Sequence, residues 1–118
     1  MTNKKEYYKI VIIMVRMKYK IYYDDAVSKH LKHIERRYWQ LIREEIELQL
    51  TYQPDIETKN RKPLKKPPID NKWEIRFGPN NIFRVFYSTL SEKQEVWVHM
   101  IARKINNKLF VGAKEIEL

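Results

Sequence analysis

Acidic, basic and histidine side chains recur in the second half of the chain with the spacing of residues on one face of a strand. Glu74 and Arg76 are two residues apart, Arg84 lies in the next apolar run, and His99 lies in the run after that. Cleavage of RNA without a metal needs a base for the attacking 2′-hydroxyl, cations for the charge that develops on the phosphate, and an acid for the leaving oxygen. Glu74 or His99 is suited to move protons, and the two guanidinium groups match phosphate oxygens.

Each of these residues also has a simpler interpretation. Glu74 flanked by Lys72 and Arg76 is equally typical of an ion pair on a solvated sheet face, which stabilises a protein by less than about 1 kcal/mol. A single histidine on a strand, such as His99, is more often packed or exposed than catalytic. The pattern alone favours these simpler interpretations.

The segment before these strands is rich in proline and in basic residues, which predicts a loop with little regular structure over 55–71. Its cations are suited to bind an RNA backbone, and an aromatic ring on a strand is suited to stack on an unpaired base. The same cations would equally keep the protein soluble or bind an acidic partner. The candidate RNA-binding residues are Arg61, Lys62, Lys65, Lys66, Trp97 and Arg103.

Two alternating runs joined by a turn predict a β-hairpin with a defined register. Trp73, Ile75 and Phe77 must share the core face. A turn closed by Gly78 and Ile82, with Asn81 in the left-handed conformation, places Arg76 opposite Arg84 and Glu74 opposite Phe86. A slip of one residue would bury Arg84 as an unpaired charge at a cost of several kcal/mol, so the pattern selects this register.

A third alternating run, 95–102, predicts the next antiparallel strand. Its apolar residues Val96, Val98, Met100 and Ala102 are expected on the core face. The opposite face then collects the polar candidates Glu74, Arg76, Arg84, Trp97, His99 and Arg103.

The first half of the chain predicts a strand followed by helices. The segment 18–23 is rich in β-formers, and Asp24 or Asp25 is suited to cap a helix. Apolar residues then recur every three or four positions from Val27 to Leu50, which fits one long helix or an αα-hairpin broken near residues 34–37; the cluster of charges there favours the hairpin. We therefore expect an α+β fold in which two N-terminal antiparallel helices pack on a small antiparallel β-sheet.

The length of 118 residues fits one domain, which we place at residues 17–118, with residues 1–16 as an N-terminal extension or a start-site artefact. The net charge of +9 favours polyanionic partners. The absence of cysteine excludes thiol chemistry and cysteine-based zinc sites and is compatible with the cytosol. The longest apolar run, 10–15, is far shorter than the roughly 18 residues of a membrane span. His30 and His33 have no further ligand in view, so no metal site is expected.

Three short segments in order resemble toxins of the RelE/ParE superfamily, with similarity over about residues 18–117. They are Pro63-Leu64-Lys65, Trp73-Glu74-Ile75-Arg76 and Arg84-Val85-Phe86-Tyr87. The resemblance implies a type II toxin–antitoxin module whose toxin needs no cofactor, cuts mRNA on the ribosome and is inhibited by a cognate antitoxin, in a toxin–antitoxin hetero-oligomer.

By position, the resemblance implies catalytic roles for Glu74, Arg76, Arg84 and Lys104. RelE toxins have a lysine where this chain has Glu74, and their C-terminal tyrosine is replaced here by Phe110 or Val111. His99 is the candidate to supply the missing proton transfer.

Two further functions fit the sequence. The ParE branch of the superfamily resembles a non-enzymatic inhibitor of DNA gyrase, which agrees with the missing tyrosine but leaves the charged strand face without a purpose. The second further function is that of an inactive, basic RNA-binding module. The presence or absence of a neighbouring antitoxin gene would separate this last alternative from both toxins.

Overall fold

A computed structural model describes residues 17–65 and 72–117 of the chain. Strand β1 precedes two helices, and the rest of the described chain is mostly strand. The elements are β1 (Lys20–Tyr23), α1 (Ala26–Leu31), a 3₁₀ turn (Arg36–Tyr38), α2 (Trp39–Leu50), β2 (Arg61–Pro63), β3 (Lys72–Phe77), a second 3₁₀ turn (Pro79–Asn81), β4 (Phe83–Leu90), β5 (Glu95–Ile105), β6 (Lys108–Val111) and β7 (Lys114–Ile116).

The described strands form one seven-stranded sheet. Six of them follow one another in the order β2-β3-β4-β5-β6-β7, each antiparallel to the next, and β1 pairs with β5 in parallel. Because β4 occupies one edge of β5, β1 and β6 share its other edge. β1 lies beside Glu95–Val98 and β6 lies beside Ala102–Ile105.

The prediction of two N-terminal helices on a small sheet is wrong. Helix α1 has only six residues, and α2, with 12 residues, is the one main helix of the described chain. The sheet is larger than expected because tight turns extend it at the C-terminus. Asn106 and Asn107 both adopt positive φ between β5 and β6, and Gly112 does so between β6 and β7. Such turns match the twist of antiparallel strands and join them with very few residues.

The core lies between α2 and one face of the sheet. Ile42, Ile46 and Leu50 recur every four residues, so they lie on one side of α2, and all three are buried. They pack in one cluster with sheet residues that include Ile75, Val85, Tyr87, Val96, Val98 and Ile101. The helical spacing and the apolar face of β3 are confirmed.

The predicted hairpin register is also confirmed. Arg76 pairs with Arg84 and Glu74 pairs with Phe86 across β3 and β4. Asn81 has a φ of 53°, as expected, and Gly78 has a φ of 83°. A Cβ on Gly78 would lie 2.6 Å from the ring of Phe83, so both the backbone conformation and the space require glycine.

The third strand departs from simple alternation at His99. Phe86 pairs with Met100 while Tyr87 pairs with Val98, so His99 is an extra residue in a β-bulge. Beyond the bulge every side chain changes face. Ile101 joins the core cluster, whereas Met100 and Ala102, which we expected there, lie on the opposite face.

Arg103 was expected on the polar face and lies on the helix-covered face instead. Its partner on β4 is Phe83, a core residue, and directly paired residues share a face. The prediction of the face of Arg103 is therefore wrong, and the bulge is the reason. Its half-buried guanidinium has a buried Nε without a hydrogen-bond partner among the described residues.

The expected N-terminal extension, 1–16, lies outside the described residues. Within 17–65 and 72–117, no helix is long and apolar enough to cross a membrane. In the described part of the loop before β3, up to residue 65, the short strand β2 pairs with β3 through Arg61 to Pro63.

Candidate functional site

Glu74, Arg76 and Arg84 form a charged cluster on the sheet face opposite α2. The Nε of Arg76 and the Nη1 of Arg84 both donate to Oε1 of Glu74, the latter over 3.4 Å. The Glu74 side chain is 6% exposed and that of Arg84 is 10% exposed, whereas that of Arg76 is 45% exposed. Arg76 is therefore the cation of this cluster that solvent, or a ligand, can reach.

Two guanidinium groups and one carboxylate leave this cluster with a net positive charge. Burial lowers the pKa of Arg84 and the nearby Arg76 acts in the same direction, while Glu74 opposes both effects. Arg84 nevertheless stays charged, because a guanidinium is not deprotonated in proteins. Arg76 uses its Nε for Glu74 and retains further N–H donors for an anion.

A second polar group, the histidine cluster, comprises Asp24, Lys72, Ser88 and His99. The Nδ1 of His99 lies 2.6 Å from Oδ2 of Asp24. Its Nε2 lies 2.6 Å from Oγ of Ser88 and 3.1 Å from Nζ of Lys72. Both ring nitrogens of His99 are thus held by neighbours.

These neighbours define the tautomer of His99. A carboxylate only accepts hydrogen bonds and an ammonium only donates them. Nδ1 therefore carries the hydrogen and donates it to Asp24, and Nε2 is left as the acceptor that faces Ser88 and Lys72. An imidazole nitrogen that accepts in this way can serve as a general base once a substrate hydroxyl replaces the Ser88 hydroxyl.

The bulge and the parallel strand β1 bring the histidine cluster together. Lys72 pairs with Ser88 and Ser88 pairs with Trp97, so these residues form a row across β3, β4 and β5. β1 continues the row with Tyr22, which pairs with Trp97. Asp24 immediately follows β1, and the bulge turns His99 toward it.

Ser88, His99 and Asp24 have the hydrogen-bond order of a catalytic triad, but their setting does not suit acyl transfer. Ser88 lies inside β4 with β3 and β5 on either side, so the surrounding backbone N–H groups are engaged in the sheet. Acyl transfer needs free N–H donors that converge on an oxyanion beside the nucleophile. The cluster is better suited to hold His99 as a base for a substrate hydroxyl.

The charged and histidine clusters lie on the same sheet face. Glu74 and Lys72 are two residues apart on β3, and residues at that spacing point to the same side, roughly 7 Å apart. Lys104 belongs to this face as well, since it is two residues beyond Ala102, whose partner is Arg84. The structure thus brings Glu74, Arg76, Arg84, His99, Trp97 and Lys104 to one surface.

The loop cations have different environments. Lys62 and Lys65 are exposed, and Nζ of Lys62 lies 3.9 Å from Oε2 of Glu57. Lys66 lies outside the described residues. Arg61 is buried, 8% exposed, and its guanidinium donates to the carbonyl oxygens of Gln49, Gln53 and Ile56 over 2.6 to 3.1 Å. Arg61 therefore ties the end of α2 to the following loop and does not face a ligand.

Sequence reasoning placed Lys72 on this face but not beside His99, and it missed Asp24, Ser88 and Tyr22 as members of the surface. Asp24 is 75 positions from His99, and although a strand was expected over 18–23, nothing in the sequence indicates that it pairs in parallel with β5. Helix capping was the expected role of Asp24 or Asp25, yet Asp25 makes no side-chain cap and the carboxylate of Asp24 binds His99. Ser88 is one of several hydroxyl residues near the end of β4, and only its register marks it.

Within the described ranges, no group of three or more histidine, acidic or cysteine side chains is arranged to hold a metal ion. No known family model matches the chain, and no curated protein shows significant sequence similarity to it. The geometry of the sheet face and the short segments of the sequence are therefore the features that bear on function.

Proposed function

We propose that this protein is the toxin of a type II toxin–antitoxin module, acting in the cytoplasm as a metal-independent endoribonuclease that cuts mRNA on the ribosome. The observation that carries the proposal is His99, whose Nδ1 is held by Asp24 and whose Nε2 is an acceptor, on the same face as the half-exposed Arg76. A base and a phosphate-binding cation on one surface are the minimum for cleavage by the neighbouring 2′-hydroxyl.

His99 is the better candidate for the base, although the sequence left Glu74 as an alternative. Glu74 is 6% exposed and its Oε1 accepts from two guanidinium groups. A carboxylate that is paired with two guanidinium groups is a poor acceptor for a proton, and its burial keeps the substrate from reaching it. Its role in the proposal is to orient Arg76 and Arg84.

In the proposed reaction the 2′-hydroxyl takes the place of the Ser88 hydroxyl at Nε2 of His99. His99 removes its proton, the 2′-oxygen bonds to phosphorus, and the bond from phosphorus to the 5′-oxygen breaks. Solvent water gives that leaving oxygen its proton. Arg76 donates to the phosphate oxygens as their charge develops, and Lys72 adds positive charge beside the base. The products are a 2′,3′-cyclic phosphate and a 5′-hydroxyl.

The partners in this proposal are the ribosome with its mRNA and a cognate antitoxin. The net charge of +9 favours an antitoxin with an acidic segment that covers the polar sheet face. A groove of about 670 Å³ between α1, α2 and β5 is lined by Val27, Leu31, Trp39, Ile42, Ile46 and Ile101 and is suited to an apolar part of the same partner. The three short segments that resemble RelE/ParE toxins support this assignment independently of the geometry.

A cell-free translation reaction with the purified protein tests the proposal. New mRNA 5′ ends are mapped with and without ribosomes, and we expect cuts that require the ribosome. Intact mRNA with normal protein synthesis would contradict the proposal. A DNA supercoiling assay with gyrase would then show whether the protein belongs with the ParE inhibitors.

A further inference from the structure

We propose that Tyr22 and Trp97 form a stacking platform that holds an unpaired base of the RNA next to His99. This inference rests on the proposed ribonuclease function and names the part of the substrate that this side of the site recognises. It assigns a role to Tyr22, a residue that neither the sequence pattern nor the charged cluster points to.

The platform is a pair of stacked aromatic rings at the end of the row that contains Ser88. The ring centroids of Tyr22 and Trp97 are 4.8 Å apart and their planes differ by 16°. Tyr22 is 37% exposed, so part of its ring is accessible to a ligand. Stacked aromatic rings stabilise each other, and a further planar group can stack on the exposed face of the outer ring.

The position of the pair fits a nucleoside whose ribose reaches His99. Trp97 pairs with Ser88, whose hydroxyl bonds Nε2 of His99. Tyr22 is two residues before Asp24, which bonds the other ring nitrogen. Neighbouring strands are about 4.8 Å apart and alternate residues on a strand are roughly 7 Å apart. The platform therefore lies within the length of one nucleoside from His99.

The chemistry of the surroundings selects RNA as the occupant. The same face carries the exposed cation Arg76 and the ammonium of Lys72, which suit a phosphate on the 3′ side of the stacked nucleoside. Aromatic rings beside a positively charged surface are the usual means of binding single-stranded nucleic acid. The base therefore stacks on the ring of Tyr22 while its own 2′-hydroxyl points to His99.

Binding to short, fluorescently labelled RNA tests the platform without requiring cleavage. The oligonucleotides carry 2′-deoxy substitutions so that they bind without being cut. Tyr22→Ala should weaken binding roughly 5- to 150-fold, the range measured for the loss of one base stack, and Tyr22→Phe should bind as the wild type does. The matched control is Tyr23→Ala. Tyr23 is similarly exposed but lines the groove beside α1 and α2, so its loss should leave RNA binding unchanged.

A second set of oligonucleotides with one abasic position identifies the stacked nucleotide. The wild type and Tyr22→Ala should bind equally to the oligonucleotide whose abasic position is the one that Tyr22 contacts, because the stacked base is then missing. Equal binding of the wild type and Tyr22→Ala to the intact oligonucleotide, or no binding of it by a wild type that cleaves mRNA on the ribosome, would overturn the platform alone. Failure of the wild type to bind or cleave any RNA, on or off the ribosome, would overturn the platform together with the proposed function.

Discussion

Arg76 and Arg84 contact the same carboxylate oxygen of Glu74, but only the side chain of Arg76 is substantially exposed. From the sequence the two arginines were equivalent, since both were expected on the polar face with the same role. The structure separates them. Arg76 is placed to meet a phosphate, and Arg84 lies beneath it, where it compensates the buried charge of Glu74.

Substitution of each arginine should therefore give a different result. We expect Arg76→Ala to lower the cleavage rate 100-fold or more, about 3 kcal/mol of transition-state stabilisation, with a smaller loss of stability than Arg84→Ala, because Arg76 is half-exposed and Arg84 still compensates Glu74. Arg84→Ala should instead lower the free energy of unfolding by about 2 kcal/mol, because Glu74 loses a buried charged partner. Urea denaturation and single-turnover cleavage measure the two effects. Equal stability of both variants with equal loss of rate would contradict the division of roles.

Asp24 is a positioning residue in this account, because it acts on the substrate only through His99. Asp24→Asn can present an amide N–H to Nδ1, which would move the hydrogen of His99 to Nε2 and remove the acceptor that faces the substrate. We expect kcat to fall roughly tenfold or more with KM nearly unchanged. The matched control is Asp25→Asn, since Asp25 is the exposed neighbour of Asp24. A loss of activity that is the same in both variants would indicate a general effect of charge and contradict the role of Asp24.

At the scale of elements, the β-bulge at His99 decides which side chains of β5 share a face. The residues from Val98 to Ala102 are apolar except for His99, so either Met100 or Ile101 could have continued the core face. Alternation favoured Met100, and the structure buries Ile101. No property of a single sequence selects between the two, because a bulge depends on how β4 and β5 pair over their whole length.

The hairpin of β3 and β4 was predictable for the opposite reason. There each alternative register buried a charge, and the glycine and asparagines of the turn required the conformations that the structure shows. Charged residues inside a short apolar run therefore specify register more strongly than a long apolar run does. The large sheet was missed because β2 and β7 have only three residues each, and because the parallel pairing of β1 with β5 has no signature in the sequence.

Arg61 connects helix α2 to the loop that follows it. The last carbonyl groups of a helix have no partner within the helix, and Arg61 donates to one of them, that of Gln49, as well as to two loop carbonyls. We expect Arg61→Ala to lower the free energy of unfolding by roughly 3 kcal/mol. Lys62→Ala, next to it and exposed, should change stability by less than about 0.5 kcal/mol. Thermal or urea unfolding measures both. A stable Arg61→Ala protein with weakened RNA binding would restore Arg61 to the ligand-binding surface.

At the scale of the whole molecule, the net charge of +9 governs how strongly an RNA is attracted, and the sheet face governs where it is held. If Arg76, Lys62 and Lys65 each contact a phosphate, the logarithm of the binding constant should fall with the logarithm of salt concentration with a slope of about −2. Binding should then weaken about 20-fold between 50 and 200 mM salt. Arg76→Ala should make the slope shallower by about 0.7, the share of one phosphate contact on a single strand. A slope near zero for the wild type would contradict an electrostatic RNA site.

The role of His99 as the base in metal-independent cleavage is tested by the chemical nature of the RNA ends that the purified protein produces. The reaction on programmed ribosomes is quenched into a chelator, and the RNA ends are analysed by mass spectrometry. We expect 2′,3′-cyclic phosphate and 5′-hydroxyl ends, formed by the wild type and lost in His99→Gln. Ends with a 3′-hydroxyl and a 5′-phosphate, or cleavage by His99→Gln at the wild-type rate, would contradict it.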